Sequence, residues 1–106
     1  MALWLLNAFS LNMVTNLPAT ITVEEVGLGV AKALVRRGFQ SAVGHADTAA
    51  LFSNVLDVEV PFNRTTVSLP RGSKALVGQY VGPRLPEGTT TLPPGATIKW
   101  LFVTVH

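Results

Sequence analysis

No cysteine occurs anywhere in the 106 residues of this chain. Disulfides, thiolate nucleophiles and cysteine-type zinc sites are therefore excluded, and the composition is compatible with a reducing compartment. Histidine is nearly as scarce. His45 and His106 are the only two, and no HExxH spacing is present, so a closed zinc site could not form without carboxylates. Charged residues make up only 13% of the chain and leave a net charge of +2. That excess is too small for a binder of duplex DNA, which needs many phosphate contacts. It suits a small anionic ligand held by a few arginines. So sparse a charged surface also suggests that part of it is covered by a second subunit. Long apolar runs are missing as well: nothing approaches the roughly 20 residues of a membrane span. The apolar start, Met1–Phe9, lacks a basic flank and reaches Asn7 too soon for a secretory signal. The expectation is a cytoplasmic protein with no membrane partner.

Hydrophobic residues amount to 48%, enough for the core of one compact domain spanning 1–106. No internal repeat or linker is visible. Residues 3–8 are almost continuously apolar and read as a buried strand. Asn12 to Pro18 reads as a loop, and the alternating, β-branched stretch Ala19 to Val26 as a second strand. Gly27 and Gly29 break it. Val30 to Arg37 has helical spacing, with Val30, Ala33 and Leu34 as its apolar stripe and Lys32 and Arg36 on an exposed face; Gly38 is a natural stop. A second helix is expected from about Ala46 to Leu56, carried by Leu51, Phe52, Val55 and Leu56. Asp47 falls in its first turn, where a carboxylate suits the positive helix end. The remainder reads as β: a short strand at Val58–Val60, another at Thr65–Leu69, and a hairpin turn at Pro70-Arg71-Gly72-Ser73 that brings Lys74–Val81 back. Pro83 to Gly95 reads as a proline-rich loop. Ile98 to Val105 is apolar enough to lie inside the sheet. The fold class is α/β (α+β).

The polar residues that stand out sit at the ends of these elements. Asn7, Ser10 and Asn12 follow the first strand, His45 opens the second helix, Arg64 precedes a strand, and Arg84 and Glu87 follow one. Side chains at element ends can converge in one cleft. A helix start adds free N–H groups and a favourable dipole for phosphate. Two arginines, amides, an imidazole and a helix N-terminus make a plausible phosphodiester site. Each residue also has a plainer reading. Alone, His45 is a capping or solvent-exposed residue, Arg84 and Glu87 a surface ion pair of little energy, and Asn7, Ser10 and Asn12 turn caps. Arg64 alone is an ordinary charge at a sheet end. Trp4 and Trp100 read as core or subunit interface. His106, the last residue, is expected to be mobile and is given no role.

Leu6-Asn7-Ala8-Phe9-Ser10-Leu11-Asn12-Met13, then Val43-Gly44-His45, then Asn63-Arg64, then Arg84-Leu85-Pro86-Glu87-Gly88 occur in that order. This succession resembles the viral ring nucleases, anti-CRISPR proteins of archaeal viruses and phages with relatives inside bacterial type III CRISPR systems. The resemblance implies a homodimer with a mixed β-sheet flanked by short helices. It also implies binding and metal-independent cleavage of cyclic tetra-adenylate, without any cofactor, in the host cytoplasm if the chain is virus-encoded. Carried over residue by residue, the catalytic positions fall on His45, Arg84, Glu87 and Ser10, and ligand-contacting positions on Asn7, Asn12, Arg64 and Thr48. The Gly-His-Asp-Ser-Thr of relatives stands here as Gly44-His45-Ala46-Asp47-Thr48, with the acid one place later. A ring-contacting glutamine of relatives aligns with Tyr80, beside Gln79, and no contact is assigned there. Relatives place a helix after the Arg-Leu-x-Glu-Gly motif, which Thr89 to Gly95 cannot readily form.

Cleavage of an RNA-type linkage without metal can use the substrate's own 2′-hydroxyl. The protein then aligns it, stabilises charge on the phosphorane and protonates the leaving 5′-oxygen. On this scheme His45 is the general acid and Arg84 holds phosphate charge with its planar donor fork. Glu87 either orients Arg84 or His45, or helps to deprotonate the hydroxyl. Two other functions fit the same residues: a sponge that binds a cyclic oligonucleotide without cutting it, and a small regulatory homodimer that binds no nucleotide.

Overall fold

The computed structural model describes residues 3–106; Met1 and Ala2, which begin the apolar start, lie outside the described residues. Its strands are β1 (Leu3–Leu6), β2 (Ile21–Val26), β3 (Gln40–Ala42), β4 (Lys74–Val81) and β5 (Thr97–Val105), and its helices are α1 (Leu28–Arg36) and α2 (Ala46–Leu56). The strands form one mixed sheet in the order β2-β5-β4-β1-β3. β1 pairs in parallel with β3 and β4, whereas β5 is antiparallel to both β4 and β2. All strands except β5 therefore run one way. The carboxyl ends of β1, β3 and β4 reach the same rim of the sheet, and the residues that follow them are those singled out above. The expectation of a mixed sheet with short helices holds.

Side-chain alternation divides the core into two layers. On one face Leu3, Leu5, Leu76, Ile98 and Trp100 pack beneath Ala31 and Val35 of α1 and Ala49, Leu51, Phe52 and Leu56 of α2. On the other, Leu6, Ala75, Val77, Val103 and Val105 pack against Val14, Val67 and Leu69, which stand on irregular chain. β5 contributes to both layers, as its continuous apolar run requires. Trp100 belongs to the helix-side core, and Trp4 is half-buried against the opposite layer.

Several elements differ from the sequence reading. β1 stops at Leu6, not residue 8, because its ladders with β3 and β4 end there. α1 begins at Leu28: the Gly27 carbonyl accepts from the Ala31 N–H at 3.0 Å, and an exposed first turn tolerates Gly29. Its buried face is Ala31 and Val35, not Val30 and Ala33, both of which are exposed; Leu34 and Lys32 are half-buried. The face of α1 turned to the core is the i, i+4 pair Ala31 and Val35. α2 has the expected limits and apolar face.

Val58–Val60 is not a strand. Val60 is buried, and its N–H donates to the Ser53 hydroxyl of α2 at 2.9 Å. Thr65–Leu69 forms no ladder either, only a lone parallel bridge between Val14 and Leu69. The Pro70–Ser73 turn is present, with the Ser73 N–H on the Pro70 carbonyl at 3.0 Å, but it closes no hairpin because β4 pairs with β1 and β5. His106 is held, not loose: its backbone exchanges two hydrogen bonds with Thr20, and its Nε2 lies 3.0 Å from the Thr22 hydroxyl. Among the described residues no helix is long and apolar enough to cross a membrane.

Gly78, buried in β4, allows α2 to approach the sheet. A Cβ built there would come within 2.5 Å of both Phe52 Cζ and Trp100 Cζ3. Those two rings pack tilted, with centroids 5.1 Å apart. Gly78→Ala is expected to destabilise the fold by about 1–3 kcal/mol through overpacking. Chemical denaturation should show a lower midpoint at an unchanged slope.

Candidate active site

The rim at the carboxyl ends of β1, β3 and β4 carries an open cleft of about 920 Å³. It is lined by Asn7, by His45, Asp47 and Thr48 at the start of α2, by Gly78, Gln79 and Tyr80 of β4, and by the following segment from Gly82 to Glu87. Its size lies in the upper part of the range for small-molecule sites, roughly 300–1,000 Å³. Position follows from topology: parallel strands joined through helices open crevices beyond their carboxyl ends.

Each wall has a local cause. Beyond Leu6 the chain leaves the sheet, and the Asn7 Oδ1 accepts the Gly44 N–H at 3.3 Å, tying the end of β1 to the turn before α2. His45 is the N-cap residue of α2 with extended backbone (φ −140°, ψ 126°) and no side-chain cap bond, so its exposed imidazole is not spent on capping. Its carbonyl accepts the first helical bond, from Ala49 at 2.9 Å. The N–H groups of the first turn have no carbonyl partner within the helix, and the helix dipole makes this end attractive to an anion.

The outer edge of β3 is covered by residues 61–63. Ser41, which is buried, donates its hydroxyl to the Pro61 carbonyl at 2.6 Å and accepts the Val43 N–H at 3.3 Å. The Asn63 side-chain amide donates to the Ser41 carbonyl at 2.8 Å, and the Asn63 N–H to the Val43 carbonyl at 2.9 Å. This network sets Arg64 against Gly44, where its Cγ would lie 3.5 Å from a Cβ.

Of the eight residues singled out from sequence, the cleft gathers five: Asn7, His45, Thr48, Arg84 and Glu87. The other three do not line it. Ser10 caps the short 3-10 turn Leu11–Met13, accepting the Asn12 N–H at 3.3 Å, and both Ser10 and Asn12 are exposed. Arg64 stands behind Gly44. Arg84 and Glu87 are not paired with each other; the ion pair found among the described residues joins Lys99 and Glu25 at 3.9 Å. Gln79 and Tyr80 both line the cleft, although the sequence reading assigned neither a contact. Their adjacency in a strand turns them to opposite faces, and the Tyr80 hydroxyl is engaged, donating to the Pro83 carbonyl at 2.5 Å. Asp47 was noted as a charge in the helix's first turn and as the acid displaced by one place, and was given no contact; its Oδ2 accepts the Gly88 N–H at 3.2 Å. The alternation of β4 and the position of Asp47 in the first turn of α2 were the available signals.

Known proteins share this arrangement of chain. The profile of a family described as STIV B116-like matches residues 3–93. "Uncharacterized protein 26" of Sulfolobus islandicus filamentous virus (isolate Iceland/Hveragerdi) is 37% identical over 87 residues, covering 81% of this chain and 73% of the relative. The solved structure of B116 of Sulfolobus turreted icosahedral virus superposes with a TM-score of 0.82 at 26% identity, covering 98% of this chain and 99% of that one.

Ser41→Ala removes the hydroxyl that serves both Pro61 and Val43. It is expected to cost about 1–3 kcal/mol, because two backbone groups at a covered edge lose their partner. Denaturation midpoints and faster amide exchange at Val43 would register it.

Proposed function

The chain belongs to the STIV B116-like family of viral proteins, and from that premise we propose that it is a metal-independent ring nuclease. It binds cyclic tetra-adenylate and cuts it to linear di-adenylate with 2′,3′-cyclic phosphate ends, so switching off type III CRISPR signalling in the host cytoplasm. The observation that carries this reading is that His45, Arg84 and Glu87, remote in sequence, line one cleft at the start of a helix. An imidazole free of capping, a guanidinium and a carboxylate are the groups that such a transesterification uses.

In the proposed step the ligand's 2′-oxygen attacks the adjacent phosphorus and the bond from phosphorus to the 5′-oxygen breaks. The proton of the 2′-hydroxyl passes to Glu87 or to water. Protonated His45 gives its proton to the departing 5′-oxygen. Arg84 and the first turn of α2 stabilise the charge on the phosphorane. Asn7 and Thr48 line the cleft and serve as ligand contacts. Ser10, Asn12 and Arg64 lie outside it and take no part in the step as written.

The working unit in this reading is a homodimer, with a four-fold ring laid across a two-fold axis so that each subunit meets an opposite linkage. What supports a second copy is the open sheet face. A groove of about 410 Å³ there is lined by Phe9, Val23, Val77, Leu101 and Val103, together with Asn7 and Gln79, which also line the cleft. Val23 is 54% exposed.

Labelled cyclic tetra-adenylate incubated with the protein in EDTA is expected to yield linear di-adenylate over many turnovers. His45→Ala should slow this by about 10²–10⁴-fold, the usual weight of positioned proton transfer. A ring that persists at enzyme excess would end the enzyme reading and leave a sponge, if it binds, or a regulatory dimer, if it does not. An unimpaired His45→Ala would remove the general acid. Light scattering should give twice the mass of one chain, and Val23→Arg should shift the population towards monomer.

A further inference from the structure

The segment that carries Arg84 and Glu87 is a closed loop with its own fastenings. At its neck, Gly82 adopts φ 153° and a Cβ there would lie 2.8 Å from that of Ala96, so the two ends touch. Within the loop, the Thr89 N–H and hydroxyl both donate to the Pro86 carbonyl, at 3.1 and 2.6 Å. Leu85 packs against the helix-side core. Two fastenings reach across to α2: the Gly88 N–H donates to the Asp47 carboxylate at 3.2 Å, and the Asn54 side-chain amide donates to the Thr90 carbonyl. Asp47 and Asn54 are about two helical turns apart and lie along one stripe of α2. The loop is therefore laid lengthwise on the helix whose N-cap residue is His45.

We infer that Asp47 is a positioning residue: it staples Gly88 to the start of α2 and so holds Arg84 and Glu87 opposite His45. The catalytic consequence rests on the ring-nuclease reading, whereas the staple itself does not. An acceptor at residue 47 is what matters. Removing it frees a loop that lacks secondary structure and is otherwise tied at Leu85, Tyr80 and Asn54. A small displacement of Arg84 and Glu87 costs rate even when the ligand still binds.

Asp47→Ala, Asp47→Asn and Asn54→Ala test this by two independent readouts, with thermal melting to show that each variant is folded. The first readout is amide exchange over residues 86–91, which needs no ligand. Asp47→Ala should raise it at least about fivefold through local opening, and Asn54→Ala should raise it around residue 90. The second is turnover of cyclic tetra-adenylate. Asp47→Ala should lower kcat about tenfold or more with a smaller change in KM. Asp47→Asn, which keeps an oxygen acceptor, should recover most of both. The inference is overturned if exchange in Asp47→Ala stays at the wild-type rate, if its loop loosens without loss of kcat, or if Asp47→Asn is as defective as Asp47→Ala. If the wild type cleaves no ring, the enzyme reading falls, and the exchange data alone decide whether the staple exists.

Discussion

The seat of α2 on the sheet governs what the rest of the molecule can do. Gly78 leaves a hollow in β4, and the Phe52 ring lowers into it beside Trp100. Burying a ring of that size contributes about 1.5–3 kcal/mol, and it also locates the helix along its own axis. Were Gly78 any larger residue, α2 would ride higher or slide. Its first turn would then leave the rim where β1, β3 and β4 end. The position of His45 is thus set by a contact about two turns further along the helix. Gly78 also lines the cleft, so the residue that admits the Phe52 ring stands at the edge of the crevice as well.

From that seat the remaining walls are drawn in by hydrogen bonds between segments remote in sequence. Asn7 joins β1 to Gly44, Ser41 and Asn63 join β3 to the chain at 61–63, and Asp47 joins α2 to Gly88. Each uses a side chain to satisfy a backbone group at an element end, where regular ladders run out. The cleft is built from the places where secondary structure stops. That is why so many of its residues are amides, hydroxyls and glycines.

How much of this was legible depended on whether the signal was local. The span of α2, the strong strand β5 and the proline-rich loop were plain, because periodicity and turn residues act within a few positions. The burial of α1 was misjudged: Val30 and Ala33 fit a stripe, but the sheet beneath selects Ala31 and Val35. The segments at 58–60 and 65–69 have strand composition and lack strand partners. Val60 satisfies its backbone on a serine of α2, and Leu69 on Met13. Composition reports that such a segment will be extended and half-buried; pairing is decided by chain far away. The same division runs through the cleft. Asn7, His45, Arg84 and Glu87 could be picked out because they end elements, although nothing local announced that Asn7 accepts the Gly44 N–H. Ser10 and Asn12 end an element too, yet they turn to each other. No local pattern separates the two cases. Gln79 and Tyr80 could not be ranked from sequence, since which face of β4 meets the crevice depends on how far β1 extends beside it.

The sheet has two free rims, and they are defended differently. β3 is three residues long, and its outer side is sealed by the chain at 61–63. β2 is longer and bare, but it carries adjacent Glu24 and Glu25, both exposed. Charged side chains on an edge strand disfavour a second β2 annealing alongside, a device that natural edge strands use against aggregation. Copies of this chain are thereby discouraged from zipping edge to edge into ribbons.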